Sequence, residues 1–401
     1  MRYRLCEIDL TQPLPELRLT AQDNGIAVIL RQAGRPVGFF MESAPPASRI
    51  DSQSLDRWIT RELGPHCRGL PRSFSGLAPG RPQPASVTVA ICTRDRPDLL
   101  AKCLAHLLPQ RLTEEGEARF EVLVIDNAPA DEQTRVSVAG REGVRYVVEA
   151  KPGLDFARNR AMAEAQGELL AFLDDDVIVD PHWFDGLREA YADHPEAGCF
   201  TGLVLPWELE TEAQVLFERR GGFRKGFKKR YFGQKLEGDD FFPCNPGILG
   251  AGCNMAFRLE VLRNLGGFDA ALDTGPHLPG GGDLDIFYRV IRQGYGIAYE
   301  PGYLVFHRHR RERRRLRRQY WSWGLGFMAF LDKCQRYDPE FRPRLRRQRR
   351  AWFRTRARQA FHSLAGRYVL PPDLIFAELW GGVRGMLGEY GRSSRRTGRL
   401  Q

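Results

Sequence analysis

Between Val87 and Leu173, short apolar runs alternate with helical segments, and this alternation restricts the fold more than any other feature of the chain. VTVAIC (Val87 to Cys92), FEVLVID (Phe120 to Asp126), VRYVVEA (Val144 to Ala150) and ELLAFL (Glu168 to Leu173) have the length and β-branched content of buried strands. After the first of them Pro97 opens a helix that carries Leu100, Cys103, Leu104, Leu107 and Leu108 on one face, and a second helix is predicted around Phe156 to Ala165. Strands joined by helical crossovers build a mostly parallel α/β sheet, whose ligands bind at the carboxyl ends of the strands. The polar residues at those ends become the candidates: Thr93, Arg94 and Asp95, then Asp126 with Asn127, then the consecutive Asp174, Asp175 and Asp176.

The rest of the chain is read around this domain, placed at residues 86–310. Residues 1–69 read as a small β-rich accessory unit, with β-prone runs at Gly25 to Leu30 and Pro36 to Met41 separated by turn signals. Residues 70–85 are rich in Pro, Gly and Ser and read as a linker. Residues 311–401 read as a basic, aromatic, mainly helical region. Within the main domain, helices are also expected at Pro181 to Tyr191 and Leu284 to Gln293.

Eight cysteines lie far apart with no C-x-x-C pair, which argues against a zinc ribbon and a disulfide scaffold and suits a reducing cytosol. MRYRLCEIDL carries charges where a signal peptide needs an apolar core, and the apolar run Trp321 to Leu331 is far shorter than the roughly 20 residues of a membrane span. The net charge of +10 is concentrated in arginines from His307 to Arg358, a face suited to anionic lipid or polymer. Trp321, Trp323, Phe327 and Phe330 beside that run favour a membrane surface, so the expected location is the cytoplasm or the inner face of the membrane, with no nucleic acid as partner.

Three adjacent carboxylates repel one another strongly in a cleft of low dielectric, so they call for a cation. Mg²⁺ or Mn²⁺, which takes one or two carboxylates and completes its shell with phosphate oxygens, answers that need. Asp180 with Pro181 is expected to cap the following helix, which leaves the triple aspartate for another role. Asp126 reads either as a turn-initiating residue or as a carboxylate for a nucleobase N–H. In KPGLDFARNR (Lys151 to Arg160), Arg158 lies near a helix N-terminus, where anions are favoured. Asp283 follows the glycine-rich loop Thr274 to Gly282 and reads as an N-cap, a role compatible with general-base work.

Taken together, AICTRDRPDLL, LVIDNAP, KPGLDFARNRAMAEAQGELLAFLDDDVIVD and GGGDLDIFYRVIRQG resemble the successive motifs of the family 2 glycosyltransferases, over about residues 86 to 310. The resemblance implies a GT-A fold, inversion at the anomeric carbon and a nucleotide-sugar donor linked to UDP, GDP or dTDP. It makes Thr93, Arg94, Asp95, Asp126 and Arg158 nucleotide-sugar contacts. Asp174 to Asp176 match the D-x-D motif, with Asp174 and Asp175 near the donor and Asp176 on the metal, joined by Asp174 and His307 as further candidate ligands. Asp283 matches the expected catalytic base, and the acceptor is an unidentified hydroxyl, with lipid-linked or polysaccharide chains in view. Two positions depart from the pattern: Gly282 stands where many members have Glu, and Cys92 where many have Pro. A nucleotidyltransferase would share sheet, metal and nucleotide, but TRDRPD replaces its glycine-rich phosphate loop. A protein that binds a membrane or an anionic polymer through its basic C-terminal region is the other alternative.

Overall fold

The structure is a computed structural model that describes residues 1–64, 80–112, 119–275 and 277–398. Residues 70–79 of the expected linker, and Cys67, lie outside the described residues. The chain opens with β1 (Arg4–Asp9), β2 (Leu17–Arg18), β3 (Gly25–Gln32), β4 (Arg35–Ser43), β5 (Arg49–Ile50) and α1 (Ser52–Leu63). β3 and β4 form a hairpin whose two turn residues, Ala33 and Gly34, both take positive φ (49° and 83°), the conformation a two-residue turn requires.

Side chains of β3 alternate between two cores. Ile26, Val28 and Leu30 pack with Leu55 and Ile59 of α1, whereas Ala27 and Ile29 join Tyr3 and Phe39 in the core of the main domain. The N-terminal unit therefore shares its core with the larger domain. Arg31 pairs with the buried Asp180, and Arg35 with Glu189 at 2.7 Å.

The main sheet contains β6 (Val87–Thr93), β7 (Glu121–Asn127), β8 (Val144–Glu149), β9 (Leu169–Asp174), β10 (Val177–Val179), β11 (Ala197–Pro206), β12 (Arg230–Phe232), β13 (Asn254–Arg258) and β14 (Gly296–His307). Their order is β10-β14-β11-β13-β9-β6-β7-β8, with β12 pairing β14. The pairings make β6, β7, β8, β9, β11 and β14 run one way and β10, β12 and β13 the other, so the sheet is mostly parallel.

Alternate residues of the central strands face opposite layers. Ala90, Leu123 and Phe172 meet α4 (Leu154–Glu164) and α8 (Gly282–Arg292) on one side. Val89, Val124 and Ala171 meet α2 (Pro97–Leu107) and α5 (Trp183–Asp193) on the other. The remaining helices are α3 (Gln133–Val138), α6 (Glu212–Arg219), α7 (Leu259–Asn264), α9 (Arg313–Tyr337), α10 (Arg342–Leu364), α11 (Pro372–Met386) and α12 (Glu389–Gly398).

Two expectations are corrected here. Asp180 does not cap α5, which starts at Trp183 behind the N-cap residue His182. Asp180 Oδ1 instead accepts from the His182 amide at 3.0 Å while Oδ2 pairs with Arg31. The aromatic residues that suggested a membrane surface point inward: Phe327 and Phe330 are buried, and Trp321 and Trp323 pack against buried clusters beneath α9.

Helices α9 and α11 approach each other closely through glycines. A Cβ on Gly381 would run into the Trp321 carbonyl, and one on Gly385 would lie 2.6 Å from the Leu325 carbonyl. Gly381→Ala is therefore expected to cost about 1–3 kcal/mol through overpacking, read as a lower denaturation midpoint. Gly398→Ala, with nothing near its Cβ, is expected to leave the midpoint unchanged.

Candidate active site

Register brings the candidate residues together. Thr93 lies opposite Asp126 across β6 and β7, and Cys92 opposite Asp174 across β6 and β9. After Asp174 the chain turns through Asp175 and Asp176 into β10, where Val177 pairs with His307 at the end of β14. That antiparallel pairing places His307 Nε2 3.3 Å from Asp176 Oδ1, although 131 positions separate the two residues in sequence.

Asp175 and Asp176 are buried and cross-linked by cations, and Asp174 is half-buried. Thr93 Oγ1 donates to Asp175 Oδ2 at 2.8 Å, and Arg96 Nη1 lies 3.0 Å from Asp175 Oδ1 and 3.5 Å from Asp176 Oδ2. Arg310 Nη1 lies 3.3 Å from Asp176 Oδ2. These residues line a cavity of about 350 Å³ together with Cys92, Arg94, Asn127, Gly153, Asp174 and Asp273. A hollow of about 470 Å³ between residues 234–243 and Arg344 gathers none of these groups.

Burial and the neighbouring Asp176 push the Asp174 carboxyl up to about 7, and the same two causes push Asp175 up to about 6. Burial acts on Asp176 as well, but His307, Arg310 and Arg96 outweigh it and hold Asp176 below the usual carboxylate range. Burial pushes His307 down to about 4, so its imidazole is neutral at pH 7.

One donor atom each from Asp174, Asp176 and His307 fall within 4.8 Å of one another, and two carboxylates with one neutral imidazole suit Mn²⁺ or Mg²⁺. A buried relay prepares the imidazole. His307 Nδ1 is 3.1 Å from His309 Nδ1, and His309 Nε2 is 2.6 Å from Glu218 Oε1. Glu218, also paired with Arg224, accepts from His309 Nε2–H. His309 Nδ1 then accepts from His307 Nδ1–H, which leaves the lone pair of His307 Nε2 directed at Asp176.

Arg158 does not line the cavity and lies behind its wall. It is buried, with Nη1 3.1 Å from Asp155 Oδ1 and 3.8 Å from Asp273 Oδ2, while Nη2 donates to the Gly252 carbonyl at 3.5 Å. The Gly252 amide donates to Asp283 Oδ2 at 3.3 Å, so a single residue, Gly252, links Arg158 to Asp283 through its carbonyl and its N–H. Asp283 is not the N-cap of α8. Gly281, with φ 105°, holds that position, and Asp283 sits in the first turn.

The departure at Gly282 has a steric cause. A Cβ there would collide with Asp155 Oδ2, a buried oxygen with no hydrogen-bond partner, and would lie 2.7 Å from Oδ1. Asp155 from α4 thus occupies the space into which a side chain at 282 would project.

Of the other sequence candidates, Arg94 is exposed at the cavity and Asp95 (φ 53°) accepts from the Ala130 amide at 2.9 Å. Asp126 is fully buried, accepts from Tyr146 Oη at 2.7 Å and does not line the cavity; the next residue, Asn127, does. Sequence reasoning had Asn127 among the polar strand-end residues and missed Arg96, Asp273 and Arg310. Arg96 directly follows Asp95 in TRDR and Arg310 comes three residues after His307 in HRHR, the one local signal available.

A parallel sheet with carboxylates and arginines clustered at its strand ends has the form of a nucleotide-diphosphate-using transferase. Among known proteins, residues 88–266 match the family model described as Glycosyl transferase family 2. His307 and Asp283 lie beyond the matched stretch.

Among the relatives, an uncharacterized protein, y4gI, of Sinorhizobium fredii is 28% identical over 66% of this chain and 29% of its own length. The O-antigen biosynthesis protein RfbC of Myxococcus xanthus is 27% identical over 65% of this chain and 20% of its own. The chain thus spans less than a third of the length of these two relatives. A solved structure of a Pyrobaculum calidifontis mannosyltransferase, PcManGT, in complex with GDP-Man and Mn²⁺ aligns with TM-score 0.47 and 18% identity, covering 79% of this chain and 87% of that one.

Two predictions follow from the geometry. Asp174 must lose its proton to take a metal ion, so Mn²⁺ affinity is expected to rise with pH up to about 7 and to level off above it. Calorimetric titration across pH checks this, and in Asp174→Asn the rise near 7 should vanish. Gly282→Glu is expected to abolish activity and lower the melting temperature, and combining it with Asp155→Ala should recover much of both.

Proposed function

We propose that the chain is an inverting hexosyltransferase that moves a sugar from a UDP-, GDP- or dTDP-linked donor to an acceptor hydroxyl. The observation that supports this best is the convergence, at one set of strand ends, of a three-donor metal cluster, Arg96 and Arg310 for phosphate oxygens, and Asp283 bridged to Arg158 by the one residue Gly252. The family match over residues 88–266 supports the same reading.

Asp174, Asp176 and His307 would hold Mn²⁺ or Mg²⁺. Such an ion, when bound, offsets the charge that develops on a leaving diphosphate. Arg96 and Arg310 reach the same oxygens from the cavity wall, and Thr93 and Arg96 keep Asp175 oriented beside the donor. Asn127, which lines the cavity, would meet the nucleobase, with the buried Asp126 behind it. Asp283 accepts the acceptor proton as the acceptor oxygen attacks the anomeric carbon from the face opposite the diphosphate, and the bond to the diphosphate breaks in the same step. Gly252 N–H fixes one Asp283 oxygen, leaving its carboxylate aimed by backbone.

The acceptor is read as a lipid-linked or polysaccharide hydroxyl, with the enzyme peripheral to the inner face of the membrane. The relative named for O-antigen biosynthesis is in keeping with such an acceptor. No helix among the described residues is long and apolar enough to cross a membrane.

Asp283→Asn is expected to lower transfer about 10²–10⁴-fold while leaving donor affinity nearly unchanged. A panel of UDP-, GDP- and dTDP-sugars read as transfer and as thermal shift checks this, and wild-type turnover by the variant would remove Asp283 from the mechanism. Chelation with EDTA is expected to stop transfer and Mn²⁺ to restore it; full activity in chelator would refute the metal assignment.

A further inference from the structure

Among the described residues, seven of the thirteen large hydrophobic side chains left exposed lie within the short stretch from Phe361 to Leu387. Such concentration is not the scatter of a monomer surface and marks a contact face. On α11 and the residue that follows it, Phe376, Trp380 and Leu387 recur at helical spacing, and Trp380 is 59% exposed. The opposite side of α11, with Gly381 and Gly385, is already packed on α9. The helix is apolar on the side that faces outward.

Its neighbour α10 carries nine arginines and no acidic residue. Arg347, Arg350, Arg354 and Arg358 fall on one outward stripe that continues to Phe361. Among the described residues, Arg350, Arg354 and Arg358 are exposed and have no carboxylate partner, whereas inward-facing Arg356 pairs with Glu378 of α11 at 2.9 Å and holds the two helices side by side.

We propose that the outer faces of α10 and α11 form a docking surface for a bilayer containing anionic phospholipid. Charge complementarity selects this occupant. A second copy related by a two-fold axis would bring another arginine-rich helix to the same interface with no acidic residue on α10 to meet it. A nucleic acid or soluble polyanion would satisfy the arginines and leave Phe376, Trp380 and Leu387 in water. A lipid surface supplies phosphates for the arginines and an interfacial layer for the aromatic and aliphatic side chains together.

The position of this face bears on the reaction. α9 lies between α11 and the loop before Asp283, and a Cβ on Gly326 of α9 would lie 2.8 Å from the Gly280 carbonyl carbon. The acceptor loop thus rests on the helix that backs the docking surface, an arrangement suited to an acceptor hydroxyl carried on a lipid. That consequence rests on the transferase reading; the surface itself does not.

The test is co-sedimentation of the full chain with phosphatidylcholine vesicles, with and without phosphatidylglycerol. Binding is expected with the mixed vesicles and not with the neutral ones. Phe376→Ser/Trp380→Ser/Leu387→Ser should weaken it at least about tenfold, as should Arg350→Glu/Arg354→Glu/Arg358→Glu. Melting temperature and hydrolysis of a nucleotide-sugar donor in vesicle-free solution should stay unchanged in both triple variants. A blue shift of tryptophan emission on adding mixed vesicles, reduced in Trp380→Phe, would place that side chain in the lipid.

Undiminished pelleting of the apolar triple variant would overturn the proposal, as would equal binding to neutral vesicles. A wild-type dimer in light scattering that Trp380→Ser converts to monomer would also overturn it, by assigning the face to a second copy. Absence of binding to the mixed vesicles by the wild-type chain, with its donor hydrolysis intact, would sink the surface and leave the transferase reading standing.

Discussion

The crowding of three consecutive carboxylates at the end of β9, Asp175 and Asp176 buried and Asp174 half-buried, is the constraint around which the rest of the site is arranged. Such a cluster cannot stay ionised out of water unless opposite charge and hydrogen-bond donors surround it. The chain supplies these from three separated places: Thr93 and Arg96 at and just beyond the end of β6, Arg158 from α4, and His307 with Arg310 at the end of β14. Even so, burial and mutual repulsion leave Asp174 near 7 and Asp175 near 6. A divalent cation would complete what these groups leave undone, and it would do so where a diphosphate could share the same charge.

The outer parts of the molecule serve the same place. β10 is only three residues long, yet its pairing with β14 holds His307 against Asp176. The N-terminal unit fastens the segment that follows, through Arg31 on Asp180. The relay from Glu218 on α6 through His309 fixes which nitrogen of His307 faces the carboxylates. On the other side, α9 supports the glycine loop that leads to Asp283, and Asp155 fills the space beside Gly282. Arg158 and Asp283 meet at Gly252.

Much of this frame was legible in the sequence because its signals are local. The strands β6, β7, β8 and β9 are uninterrupted apolar runs, and the polar residues at their ends stand out against them. β11 and β13 were not separated from their surroundings, since both faces of each are buried and neither shows a period of two. Contacts across long stretches of chain left no trace either. Glu218 meets His309 from 91 positions away, and the reason for Gly282 is a carboxylate on another helix. Aromatic residues near arginines were a misleading cue on α9, because a helix of 25 residues presents several faces and those side chains lie on the inward ones.

The central claim is that Asp174, Asp176 and His307 form a metal site that is one half of a nucleotide-diphosphate site. Calorimetric titration of UDP and GDP into the protein in Mn²⁺, in EDTA, and in Mn²⁺ with Asp176→Asn tests it most directly. The account predicts saturable binding of at least one of the two nucleotides in Mn²⁺ and loss of that binding in both other conditions. Equal affinity in EDTA, or in Asp176→Asn, would contradict it.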